Sequence, residues 1–197
     1  MCIRDRYGGY FGVVGRPSFG QPDYSDGDLA FTGYWRKAFI DRPALGVGFQ
    51  ASERVQMANA QTQFILRNGS RLNLQAGASN SNTAGSGYAL VAAYDFYIDR
   101  PTTSDFFTLQ FEHVSEGFAT LSDPDASNPI AWQAYGQYSR VFSDRLYGSV
   151  GLAYNKSRDN AGLGDSFRSD LTANYAINRQ WSCLLYTSPS PRDLSTS

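Results

Sequence analysis

The chain carries very few side chains able to do chemistry. Among 197 residues there are two cysteines and one histidine. Both cysteines, Cys2 and Cys183, lie near the extremes, so no disulfide framework, zinc site or thiol pair can be read from the interior. Charged residues make up 18% and the formal net charge is −1, so no basic face points to nucleic acid. No apolar run approaches the roughly 20 residues a membrane-spanning helix needs. Aromatic and small residues are plentiful instead, with 13 Tyr, 13 Phe and 19 Gly. That mixture suits β-structure, with aromatics on pleated faces and small residues in turns.

The two ends do not belong with the rest. Cys183 to Ser188 can be encoded as TGTCTCTTATACACATCT. The reverse complement, AGATGTGTATAAGAGACA, read from its third base, gives Met1, Cys2, Ile3, Arg4 and Asp5. One short DNA element read on opposite strands therefore accounts for both, and together they resemble a translated transposon-type sequencing adapter. Residues 1–6 and 183–197 are accordingly expected to be non-native scars, and 7–182 an internal fragment of a longer protein. Without the scars the net charge is about −2.

Between the scars, apolar and polar residues alternate. Leu45, Val47, Phe49 and Ala51 interleave with Gly46, Gly48, Gln50 and Ser52, and Leu72, Leu74, Ala76 and Ala78 with Arg71, Asn73, Gln75 and Gly77. Period two is the mark of a strand with one oily and one wet face. Ten strands are predicted, near residues 8–15, 29–39, 44–52, 57–66, 71–79, 87–98, 106–114, 130–141, 145–155 and 166–177. Tight turns at Asp41–Pro43, Arg67–Ser70, Ser143–Asp144 and Asn178–Gln180 alternate with long polar loops at Pro17–Asp28, Asn80–Ser86, Glu116–Pro129 and Lys156–Asp165, although Asp99–Asp105, of middling length, takes a tight-turn place and Glu53–Gln56 is a brief loop in a long-loop place. Asn68-Gly69 is expected to supply the positive φ angles of a hairpin turn. Several strands reach the 9–11 residues that cross a bilayer at a tilt, and short turns alternating with longer loops are how an outer-membrane barrel is strung. The expected fold is all-β, an antiparallel up-and-down transmembrane β-barrel segment of about ten strands. Its truncation is expected to leave two unpaired edges and irregular or poorly packed ends. A soluble sandwich also alternates, but explains neither strand length nor loop asymmetry.

Facing follows from charge, because Arg or Lys on the lipid side at mid-bilayer costs roughly 2–4 kcal/mol. The uncharged rows are Leu29–Trp35, Tyr88–Tyr94, Phe107–Phe111, Trp132–Tyr138, Leu146–Tyr154 and Leu171–Ile177, taken at alternate positions. The opposite rows supply the lumen-facing candidates: Arg36, Gln61, Gln63, Arg71, Asn73, Gln75, Asp95, Gln110, Glu112, Gln133, Gln137, Arg168, Asp170 and Asn174. Trp35, Tyr88, Phe96, Phe111, Trp132 and Tyr154 fit interfacial girdles.

Chemical motifs are thin. His113 and Ser115 share a strand face, yet no third orienting group or oxyanion donor accompanies them, and a polar strand rim is the plainer reading. Asp23, Asp26 and Asp28, and Asp123 with Asp125, match no complete calcium loop. Asn68-Gly69-Ser70 and Asn155-Lys156-Ser157 fit a glycosylation pattern but read first as turns. No enzyme, cofactor or metal is expected.

Particular segments resemble the outer-membrane ushers of chaperone–usher pili. These are Gly8, Gly9 and Tyr10; Gly15 to Gly20; and Asp23 to Gly27, which resembles a Tyr-Gly loop element. Leu45-Gly46-Val47-Gly48 stands where the family runs leucine-threonine-leucine-glycine, a departure. Gly69 through Tyr94, Val114-Ser115-Glu116-Gly117-Phe118 followed by Asn128-Pro129, and Tyr154 to Asp159 with Ser166 to Tyr175 complete the likeness. It spans nearly all of 7–182 and implies the barrel of a secretion pore in the bacterial outer membrane. Periplasmic chaperone–subunit complexes would deliver pilin subunits, which join by donor-strand exchange, a form of strand addition. Membrane lipid would be the other partner, and nucleic acid none. A porin-like passive diffusion channel is the alternative reading.

Overall fold

A computed structural model describes residues 5–13, 16–18, 21–23, 28–39, 43–158, 162, 164–177 and 182–187. Asp26, the turn at Asp41–Pro43 as far as Arg42, and the turn at Asn178–Gln180 lie outside them.

The chain is all-β, and thirteen strands follow in order. They are β1 (Arg6–Val13), β2 (Arg16–Ser18), β3 (Gln21–Asp23), β4 (Leu29–Lys37), β5 (Ala44–Ser52), β6 (Val55–Ile65) and β7 (Arg71–Ser81). Then come β8 (Gly85–Asp99), β9 (Ser104–Val114), β10 (Ile130–Ser143), β11 (Leu146–Ser157), β12 (Ser166–Ala176) and β13 (Ser182–Thr187). Eleven form one antiparallel up-and-down sheet, ordered β1-β4-β5-β6-β7-β8-β9-β10-β11-β12-β13, while β2 and β3 pair separately. From β4 to β13 each strand lies beside its sequence neighbour, and β1 pairs with β4 across the β2–β3 excursion. The ten strands expected are all present. Their ends coincide with the expected ones or differ by at most two residues, the ordinary scatter of strand boundaries. With 15 residues, β8 extends about 50 Å.

Two compact units partition the chain. One comprises residues 1–64, 73–91 and 113–128, the other 65–72, 92–112 and 129–197.

Several local details differ from expectation. Residues 80–86 are not a long loop, since β7 and β8 run on until only Asn82, Thr83 and Ala84 remain between them. At the 66–70 turn only Gly69 takes a positive φ, +81°. Asn68 contributes its side chain instead, Oδ1 accepting the Ser70 N–H at 3.1 Å, while the Leu66 N–H donates to the Ser70 carbonyl at 2.8 Å. An Asx side chain thus does the work assigned to a second left-handed residue. Residues 182–187 are not irregular: they pair along β12 from Leu171↔Thr187 to Ala176↔Ser182. All six are exposed, so they pair without packing. An open sheet edge offers unpaired N–H and C=O groups to any extended neighbour, whatever its sequence.

Hydrophobic burial is nearly absent. Among the described residues, only Val55, Val114 and Ala119 are buried apolar side chains, against 36 large apolar ones left exposed.

Candidate functional site

The candidate site is the sheet's pair of faces, so residues are assigned to a face by register. Directly opposed residues of an antiparallel pair point the same way. In the first unit, Arg36 opposes Gly46, which opposes Gln61, and Ala44 opposes Gln63. These residues, with Asn73 and Gln75, surround a hollow of about 30 Å³, where Arg36 Nη2 donates to Gln63 Oε1 at 3.5 Å. Five of the lumen candidates therefore converge; Arg71, in the second unit, precedes Asn73 at alternate spacing on β7. The amides lie flat because glycine faces them. A Cβ at Gly46 would sit 2.7 Å from Gln61 Nε2, and one at Gly48 would sit 2.9 Å from Asn59 Oδ1.

In the second unit, Gln133 opposes Asn155 and Gln137 opposes Gly151, while Arg168, Asp170 and Asn174 oppose Ala153, Gly151 and Tyr147. These five candidates share one face. Gln137 Oε1 accepts the Tyr135 hydroxyl at 2.7 Å, and the Asp170 carboxylate lies over Gly151, 2.7 Å from where a Cβ would be. Asp95 accepts a bond from Thr108 Oγ1 at 3.0 Å, and Gln110 and Glu112 alternate with Thr108 on β9.

Sequence reasoning missed the tyrosines on this polar face. Tyr10 opposes Thr32, and its ring stacks 6.4 Å from Tyr34, which opposes Gly48. Tyr135 and Tyr147 oppose Ala153 and Asn174. Their parity with Arg36, Gln137 and Asn174 was available from the sequence, but the search for charge and amides passed over them.

The other face is apolar in both units. Tyr7, Phe11 and Val13 lie opposite Trp35, Phe31 and Leu29, and Trp35 and Gly33 oppose Val47 and Phe49. In the second unit, Tyr138, Gly136 and Ala134 oppose Val150, Leu152 and Tyr154, which oppose Leu171, Ser169 and Phe167. Small residues beside large ones leave a shallow groove of about 470 Å³ here, its floor including Ala92, Ala134 and Gly136. Phe111 and Trp132 meet at 5.1 Å, both near the loop ends of their strands.

Charge meets the described apolar rows at strand ends: Lys37 closes β4, Lys156 opposes Trp132 near the loop end of β11, and the densest cluster lies at the turn-side rim of β9 and β10. Asp105, nearly buried, accepts the Tyr138 hydroxyl at 2.8 Å and pairs with Arg100 at 3.4 Å and Arg140 at 3.5 Å. The Arg140 guanidinium also lies 5.3 Å from the centre of the Phe142 ring. Pairing at a strand end is where a charge on an oily face costs least.

The chemistry-bearing residues have structural work. Ser115 Oγ accepts the Tyr88 N–H at 2.7 Å, and His113 Nε2 lies 3.4 Å from the Tyr88 hydroxyl. Asp28 pairs with Arg54 at 2.9 Å, and Asp123 Oδ2 accepts both the Ser127 N–H and hydroxyl. No group of three or more metal-ligating side chains occurs among the described residues. At the loop end of β11 and β12, the Asp165 carboxyl is held below the usual carboxylate range. The hydroxyl of Tyr154 donates to it at 2.7 Å, the Ser157 N–H at 3.0 Å, and Lys156 adds positive charge nearby.

No family model, curated protein or solved structure matches the chain.

Proposed function

We propose that this chain is part of an outer-membrane β-barrel of the usher kind, a pore through which pilus subunits pass from periplasmic chaperones to a growing fibre. One observation carries the membrane part: a face of exposed apolar rows backs directly onto a face of amides, hydroxyls and paired charges. Lipid satisfies the first face and an aqueous passage the second. The usher part rests on the ordered likeness of the segments from Gly8 to Tyr175 to that family. Stacked and hydroxyl-bearing rings among amides, such as Tyr10, Tyr34 and Tyr135, suit transient contact with a moving polypeptide. Assembly then draws on subunit folding, and the pore itself performs no bond chemistry.

A photo-crosslinking side chain at Gln137, in the chain expressed alongside chaperone and pilin, tests this reading. Capture of pilin subunits is expected. Crosslinks to lipid alone would remove the wet-face assignment.

The second reading is a passive diffusion channel for small solutes. It is favoured by the loop after β9, which lies across the wet face instead of standing clear of it. Solute flux into vesicles with no pilin capture would select it.

A further inference from the structure

The connection between β9 and β10 was expected to be a free polar loop. Its contacts say otherwise. Ser79 and Ser81 alternate with Asn73 and Gln75 on β7 and so lie on the wet face. Both are buried, and the loop is what buries them. Ser79 Oγ accepts the Ala119 N–H at 2.9 Å, and Ser81 Oγ donates to the Pro124 carbonyl at 2.6 Å. Thr83 Oγ1 donates to the same carbonyl at 3.0 Å. Ala119 is fully buried, and the Phe118 ring lies 3.5 Å from where a Cβ of Gly77 would be.

The seat on β8 is tighter still. A Cβ at Gly87 would collide with the Phe118 amide nitrogen and the Gly117 carbonyl carbon, both backbone, so no other residue fits without moving the loop. Gly117 meets the same limit from its own side, its Cβ position lying 2.6 Å from the Ser86 carbonyl oxygen. Close backbone approach is a reason for glycine distinct from turn geometry. The loop is also stitched to itself. Thr120 and Asp123 exchange backbone bonds at 3.0 and 3.2 Å, and Ser127 returns to Asp123.

From this geometry we infer that residues 115–128 form an internal strap, seated on the wet face of β7 and β8 and narrowing the passage there. The inference rests on the pore reading for its consequence and on the hydrogen bonds and glycine contacts for its existence.

Hydrogen exchange followed by mass spectrometry, on the chain folded into lipid nanodiscs, tests the seat. The Ala119 and Phe118 amides should exchange slowly. They should lose that protection in Gly87→Val and in a Ser79→Ala, Ser81→Ala double variant, which adds no bulk should Gly87→Val fail to fold. Fast exchange across 115–128 in the unaltered protein would overturn the strap. Planar-bilayer recordings test the narrowing, with larger single-channel conductance expected once the strap is released. Equal conductance with protection lost would overturn the narrowing. If the unaltered protein carries no current at all, the pore reading falls and the narrowing with it, while exchange still decides whether the loop is seated.

Discussion

At the residue scale, two positions hold loop ends by different means. Gly69 carries the left-handed backbone of the 66–70 turn, where a Cβ is disfavoured by roughly 1–2 kcal/mol. Gly69→Ala should lower the unfolding free energy by about that amount, read by urea titration in lipid vesicles. The space around Gly69 is open, so the loss would be conformational, not steric. Asp165 acts through charge. Its carboxylate form accepts the Tyr154 hydroxyl and the Ser157 amide, so folding lowers its pKa. The contribution is therefore full above the ordinary carboxylate pKa and lost as pH falls through the lowered one. Protection of the Ser157 amide from exchange should accordingly weaken on acidification into that range. In Asp165→Asn this pH dependence should vanish, and a persistent dependence would show that another group sets it.

At the element scale, the face a residue occupies decides what a substitution costs. Val150 and Gln137 lie on strands that pair directly, yet on opposite faces. Val150→Arg should destabilise the vesicle-folded protein by about 2–4 kcal/mol, whereas Gln137→Arg should cost far less. Equal costs in the same folding titration would refute the two-solvent assignment. Strands and faces were legible in the sequence because period two is a local property, as in Leu45 to Ser52, where the expected and observed bounds coincide. The loop after β9 was not legible, because its seat depends on Ser79, Ser81 and Gly87, some 30 to 40 residues earlier. Nothing in the spacing of Glu116 to Pro129 distinguishes a solvated loop from one lying on β7. The rim cluster of Asp105, Arg100 and Arg140 was hidden likewise, since its members come from β9, the β8–β9 connection and β10. The pairing of 182–187 with β12 was illegible for a different reason, since no period-two alternation runs through Ser182 to Thr187.

At the scale of the whole molecule, three apolar side chains are buried among the described residues, so cohesion rests heavily on the backbone ladder and, on the proposed reading, on the medium that meets the exposed rows. Trp35 and Trp132, both on apolar rows, report on that medium. In vesicles of lipid brominated along its acyl chains their fluorescence should be strongly quenched, and aqueous acrylamide should quench them little. The reverse pattern would place water on both faces. The amides pressed flat over Gly46 and Gly48, and the carboxylate over Gly151, have a mechanical consequence. On the proposed pore reading, a surface built this way would offer a passing chain few crevices in which to lodge. Friction along it should be low and insensitive to the sequence of whatever slides past.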